Sequence, residues 1–160
     1  MSRNKKGVAI VLFAFIAAIG FYALYSAWIH APKTTLLRDS VYKTQNITLS
    51  DATVVHALVA DTPELQSLGL GGRSGLPNGE GMLFVFGHDD TYGFWMKDMQ
   101  FSIDIVWLSS DKRVIYMVQS IAPETYPATF GPSAPSRYVL ELPAGYTVAH
   151  SIKIGDQFSF

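Results

Sequence analysis

Twenty-two consecutive residues without a charged side chain, Val8 to Ile29, constrain this chain more than any other feature. At about 1.5 Å per helical residue such a run reaches roughly 33 Å, enough to cross a hydrocarbon core of about 30 Å. Arg3, Lys5 and Lys6 precede it and no acidic residue stands on that side, so the positive-inside rule predicts a cytoplasmic N-terminus. Tyr22, Tyr25 and Trp28 gather at the far end, where amphipathic rings favour the membrane interface. The competing reading is a cleaved secretory signal, whose apolar region is usually about 7–15 residues and ends at a small-x-small site. Tyr25-Ser26-Ala27 and Ile29-His30-Ala31 both put a bulky residue where a small one is needed. The expectation is therefore an uncleaved anchor, with secretion after cleavage as the alternative.

The expected organisation is a cytoplasmic basic stub at 1–7, a single transmembrane anchor at 8–29, a linker at 30–45 and an extracytoplasmic domain at 46–160. The protein would then sit in the cell membrane with its C-terminal domain in a bacterial envelope. The whole-chain averages of 49% hydrophobic residues and a net charge of −1 hide this division. From Ala31 onward there are nine basic and thirteen acidic residues, a net charge of −4. An acidic domain argues against nucleic-acid binding through bulk charge. Cysteine is absent, which removes disulfides, cysteine-ligated zinc, iron–sulfur clusters, thiol catalysis and a cysteine-linked lipid anchor.

Residues 30–45 are polar, contain Ala31-Pro32 and show neither helical nor strand periodicity, the composition of a tether. Beyond them, short apolar and β-branched runs alternate with turn signals. Strands are predicted over 53–60, 82–86, 94–98, 103–108, 114–118 and 138–142, with 156–160 closing the sheet. Thr62-Pro63-Glu64 is a helix start, with Thr62 as cap and Pro63 at the first position, and the nearby glycines keep that helix short. A helical turn or two is expected within 144–151, and the Pro-rich stretch 121–135 reads as a long excursion. Short strands at close spacing predict a mainly β domain, a single sandwich or barrel with one or two short helices.

The segment Phe94-Trp95-Met96-Lys97-Asp98 carries the most chemistry. Strand alternation would set Trp95 and Lys97 on one face and Asp98 on the other. On the following strand Asp104 shares a face with Val106 and Leu108, and Glu141 stands between Leu140 and Leu142. A carboxylate on an apolar face is expensive to bury unless it is paired or hydrogen-bonded, and Lys97, Arg73 and Arg137 are the candidate partners. Under the plainer reading Asp104 and Glu141 are structural. Under the sharper one Trp95, Lys97, Asp98, Asp104 and Glu141 line a cleft with Arg73 at its rim, gripping a sugar, a peptide end or an anionic group. Asp104 and Glu141, helped by Lys97, would also serve as the carboxylate pair of a glycan hydrolase if their separation suited it.

Other chemistries find less support. The four histidines, His30, His56, His88 and His150, show no pair at metal-ligand spacing, and His88-Asp89-Asp90 is a common loop triplet. Met82, Met96, Met99 and Met117 read as core filling ahead of a soft-metal site. Gly69-Leu70-Gly71-Gly72-Arg73 lacks the Gly-Lys-Ser/Thr ending of a phosphate loop, and Ser74 has no nucleophile elbow around it. No metal and no cofactor are expected.

Three blocks in order give the chain a family resemblance. They are Gly69-Leu70-Gly71-Gly72-Arg73 with Leu76 and Gly81-Met82-Leu83-Phe84-Val85-Phe86; Phe94-Trp95-Met96-Lys97-Asp98 with Ile103-Asp104-Ile105; and Tyr138-Val139-Leu140-Glu141-Leu142 with Gly145 and Gly155-Asp156. From about Ile47 to Phe160 the chain resembles the domain of unknown function (DUF) 192 family of small prokaryotic proteins, often exported or membrane-tethered. Two departures stand out: the family usually has Met where Gly71 stands, and Asn-Thr where this chain has Asp98-Met99. The resemblance implies a compact, mostly β, sandwich-like domain and no established reaction. The expected function is a membrane-anchored, non-enzymatic β domain that binds a small molecule or an envelope protein, with the hydrolase as the alternative.

Overall fold

The computed structural model describes residues 40–160. The anchor expected at 8–29 lies outside them, and among the described residues no helix is long and apolar enough to cross a membrane. The described elements are β1 (Lys43–Thr48), β2 (Val54–Ala60), α1 (Pro63–Leu68), β3 (Glu80–Asp90), β4 (Ile103–Leu108), β5 (Val114–Ile121), a 3-10 turn (Pro123–Thr125), β6 (Ser136–Pro143) and α2 (Tyr146–Ala149). The fold is mainly β, with one six-stranded sheet in the order β1-β2-β3-β6-β4-β5. Only β2 and β3 run parallel, and residues 61–79, with α1 among them, form the crossover that a parallel pair requires. All the other neighbours pair antiparallel.

Local chemistry accounts for several elements as read from the sequence. Thr62 caps α1, its side chain accepting from the Leu65 N–H, with Pro63 opening the helix. β4 spans the expected residues and forms a hairpin with β5 through Ser109–Lys112, where the Lys112 N–H donates to the Ser109 carbonyl at 2.9 Å.

Four features differ from expectation. Lys43–Gln45 belong to β1 although they read as tether: this is a polar edge strand, in which only Ile47 is buried, with Tyr42 before it and Leu49 after it. One sheet replaces the two of a sandwich. Residues 94–98 are not a strand; Phe94 makes a single bridge to Phe130, and the chain turns at Asp98, whose φ is +58°. The C-terminal residues contribute isolated bridges in place of a strand. Ser159 pairs with Thr48 of β1 and Gln157 with Arg113 beside β5, so this segment joins the two ends of the strand order.

Both faces of the sheet are covered. One gathers Ile47, Val55, Leu83, Val106, Leu108, Leu140 and Leu142 with Tyr146 of α2 and Phe158. The other gathers Met82, Phe84, Ile103, Ile105, Trp107 and Val139 under Tyr42, Leu70, Met96 and the partly buried Phe94 and Phe130. The first is roofed by α2 and the C-terminal residues, the second by connecting loops. Buried methionines Met82 and Met96 fill this second core.

Candidate functional site

Asp104 is fully buried on the α2 face, with Val106 and Leu108 as the alternation predicts. Its Oδ1 accepts from the Ser120 N–H at 2.8 Å and the Gly145 N–H at 3.0 Å. Its Oδ2 accepts from the Thr147 N–H at 2.9 Å and the Thr147 hydroxyl at 2.7 Å. Four donors thus meet two oxygens, and none comes from the lysine or arginines expected as partners. Two donors sit at positive φ, Ser120 at +50° and Gly145 at +80°, so backbone in sparsely populated conformations is held around the carboxylate. Gly145 precedes α2, and Asp104 satisfies N–H groups that a helix start leaves without intrahelical partners. The arrangement is structural: it ties β4, β5 and α2 together.

Glu141 lies on the neighbouring strand but on the opposite face. In β6 it is level with Met82 of β3 and Ile105 of β4, both fully buried, whereas Asp104 is level with Leu142. Successive residues of a strand point to opposite sides, so one cleft cannot present both carboxyls. The carboxylate pair of the hydrolase reading is therefore not formed. Burial pushes the Glu141 carboxyl up to about 8. Its Oε2 finds no hydrogen-bond partner among the described residues. Desolvation thus favours the neutral acid at neutral pH.

Above this second face the chain brings Trp95, Lys97 and Asp98 to the surface. Phe94 and Phe130 exchange two backbone hydrogen bonds of 2.8 Å, pinning residues 92–96 to the Pro-rich excursion. The crossing is close: a Cβ at Gly93 would lie 2.5 Å from Thr129 Cγ2, and one at Gly131 would lie 2.9 Å from the Tyr92 carbonyl oxygen. Phe94 packs edge-on against Phe84 and Trp107, so the segment is anchored from below. Met96 turns inward at 1% exposure, whereas Trp95 stays 56% exposed and Lys97 and Asp98 are exposed beside it. Across the crossing Tyr126 is 46% exposed, and its ring stands 6.1 Å from that of Trp95 at an interplanar angle of 68°. The two rings form an open corner.

Arg73, expected at a rim, is buried and places its guanidinium 6.0 Å from the Tyr42 ring centre. Its loop docks on the Trp95 segment, where the Gly72 N–H donates to the Asp98 carbonyl at 2.7 Å. Of the six residues read from the sequence, Trp95, Lys97 and Asp98 are exposed on one short segment. Arg73 lies buried in the loop beside them, Glu141 is enclosed on the same face of the sheet, and Asp104 is on the far side. Sequence reasoning missed Tyr126, whose signal was an aromatic residue inside the Pro-rich excursion. It also missed Ser120, Gly145 and Thr147, of which only Gly145 stood out, as a conformational punctuator.

Among the described residues no group of three or more His, Asp or Glu is placed to hold a metal ion. In the His88-Asp89-Asp90 triplet, Asp89 accepts from Arg137 at 2.6 Å and Asp90 from the Thr91 N–H at 2.7 Å. His150 contacts Asp51 through Nδ1 at 2.9 Å and packs against the Tyr146 ring, joining α2 to the β1–β2 connection. The Asp51 carboxyl is held below its ordinary value, first by the Thr53 N–H and then by His150.

Similar folds occur in two proteins of known structure. One, of unknown function, comes from Novosphingobium aromaticivorans DSM 12444; it is 27% identical, with 73% of this chain and 85% of that chain covered and a TM-score of 0.69. The other, from Sinorhizobium meliloti 1021, is provisionally described as a transcription regulator; it is 26% identical, with 74% of this chain and 94% of that chain covered and a TM-score of 0.70. No curated protein matches the chain. The model of the DUF192 family, described as an uncharacterized ACR, matches residues 45–160, which include every strand but the first two residues of β1, and on this ground the chain belongs to the DUF192 family.

Proposed function

We propose that this protein is a membrane-tethered, extracytoplasmic binding domain that takes a small envelope ligand at the corner formed by Trp95 and Tyr126, with Lys97 and Asp98 beside it. The observation that carries this reading is the exposure of two large aromatic rings, 56% and 46%, on two segments that the Phe94–Phe130 hydrogen bonds hold together. Aromatic side chains held at a surface, with charged groups alongside and no core to fill, have the composition of a recognition site. The reading is non-enzymatic: the buried carboxyls lie on opposite faces, and the groups around Asp104 are occupied in holding the fold. A regulator of transcription, as the S. meliloti relative is described, fits poorly with a net charge of −4 from Ala31 onward, because nucleic-acid contact rests on neutralised phosphates.

The tether part rests on Val8–Ile29 and its basic flank. Alkaline extraction of membranes tests it: the full chain should stay in the membrane pellet at its unprocessed mass, whereas a shortened soluble species would mean signal cleavage. The binding part is tested by thermal denaturation of the full chain in detergent micelles against envelope metabolites and glycan fragments. A true ligand raises the midpoint by mass action. Hits are expected to lose their effect on Trp95→Ala; a library without hits contradicts the proposal.

A further inference from the structure

We infer that the ligand of the Trp95–Tyr126 corner is an acidic saccharide, a sugar ring bearing a carboxylate; this rests on the proposed binding role and names its chemistry. Three observations meet here. The rings of Trp95 and Tyr126 stand at 68° with centres 6.1 Å apart, so they make a floor and a wall, not two parallel ridges. A pyranose offers a flat C–H face for the floor and hydroxyls at its edge, whereas a polyproline helix docks between aromatic ridges. Lys97 follows Trp95 by two residues with inward-turned Met96 between them, is exposed, and has no ion pair or hydrogen bond with another described residue. In a domain with more acids than bases, an available ammonium two residues along the chain from an aromatic floor is a point charge for an anion. Asp98, also exposed, adds a hydroxyl-accepting carboxylate, and the left-handed backbone at its φ of +58° sets where that group stands.

The geometry fits a single sugar unit better than a long chain. Floor, wall, cation and acceptor come from Trp95, Tyr126, Lys97 and Asp98, and the Phe94–Phe130 hydrogen bonds hold the two segments that carry them. The corner is thus built before the ligand arrives, which keeps the ordering cost of binding small.

Intrinsic fluorescence titrations of the full chain in detergent micelles test the inference. The probes are trigalacturonate, a muramic-acid-containing disaccharide, the methyl ester of each, and a decaproline peptide. The expected result is saturable binding of at least one acid, with its uncharged ester weaker by about two- to fivefold, the worth of one exposed charge contact. Lys97→Met should bind acid and ester alike, and Trp95→Ala should lose at least about tenfold for both. An ester that binds as tightly as its acid, or a Lys97→Met variant that still prefers the acid, overturns the acidic class and leaves the site standing. Trp95-dependent binding of decaproline without saccharide binding overturns the saccharide and also leaves the site. Acid binding that survives unchanged in Trp95→Ala overturns both the inference and the site. No saturable binding by either acid overturns the inference, and the envelope-library screen then decides separately whether the binding role stands.

Discussion

On the face beneath α2, Asp104 is wholly enclosed and meets four donors. One strand away on the opposite face, Glu141 is almost as enclosed, yet its Oε2 meets none among the described residues. The same contrast extends outward. Above Asp104 the polar groups are consumed by the fold: the Thr147 hydroxyl also accepts from Gln119 at 2.9 Å, and His150 joins Asp51. Above that face Trp95, Tyr126 and Lys97 are exposed, and among the described residues their side chains make no hydrogen bond or ion pair. Position on an apolar strand is therefore a poor guide to function. A buried carboxylate with every lone pair occupied is architecture, and the proposed recognition site lies on the other side of the sheet.

The largest test of that contrast is Asp104→Ala. It leaves the N–H groups of Ser120, Gly145 and Thr147 without their acceptor, and should lower the unfolding free energy by about 3–5 kcal/mol in urea titrations. A loss below about 1 kcal/mol would show that the four hydrogen bonds do not organise α2. Glu141→Gln should do the reverse at high pH. The folded carboxyl titrates near 8 and the unfolded one near 4.5, so between these values the folded state holds the extra proton. Stability is then full below about pH 4.5 and falls as pH rises toward 8, by at most about 1.4 kcal/mol per unit, and levels off above. Glu141→Gln should flatten that slope and cost less than about 1 kcal/mol at pH 5. A wild-type profile that is already flat from pH 5 to 8 would contradict the account of Glu141.

Smaller effects belong to the exposed side. At Asp98 the φ of +58° is tolerated best by glycine, asparagine and aspartate. Asp98→Ala should therefore cost about 1 kcal/mol and Asp98→Asn less than about 0.5 kcal/mol, read as shifts of the urea midpoint. Asparagine, the residue that the family resemblance puts at this position, suits the same backbone conformation without the charge. The second departure is its neighbour, since a Cβ on Gly71 would lie 3.4 Å from Asp98 Cβ. Trp95→Ala should have the smallest effect on stability, within about 0.5 kcal/mol, because the side chain is more than half exposed.

How legible these features are in the sequence follows from their range. The face of Asp104 is set by alternation within six residues, and β4 spans the residues expected of it. Its partners lie 16 to 43 residues away, and three of its four hydrogen bonds come from backbone N–H groups, so no side-chain pattern marks them. Lys97, Arg73 and Arg137 looked like suitable counter-charges, but Arg137 pairs with Asp89 and Arg73 lies against Tyr42. Trp95 and Lys97 stand out in the sequence because aromatic and charged residues alternate there. Tyr126 does not, because its nearness to Trp95 arises through the Phe94–Phe130 crossing. The first residues of β1 were hidden by their polarity, since an edge strand without an apolar repeat reads as linker.

Acrylamide quenching of tryptophan fluorescence in the full chain, with and without a ligand that raises its melting temperature, tests the central claim most directly. Trp107 is fully buried and Trp95 is 56% exposed, so Trp95 should dominate quenching within the described domain. The account predicts that ligand lowers the quenching constant of the wild type and leaves that of Trp95→Ala unchanged. A stabilising ligand that leaves wild-type quenching unchanged, or protects Trp95→Ala equally, would contradict it.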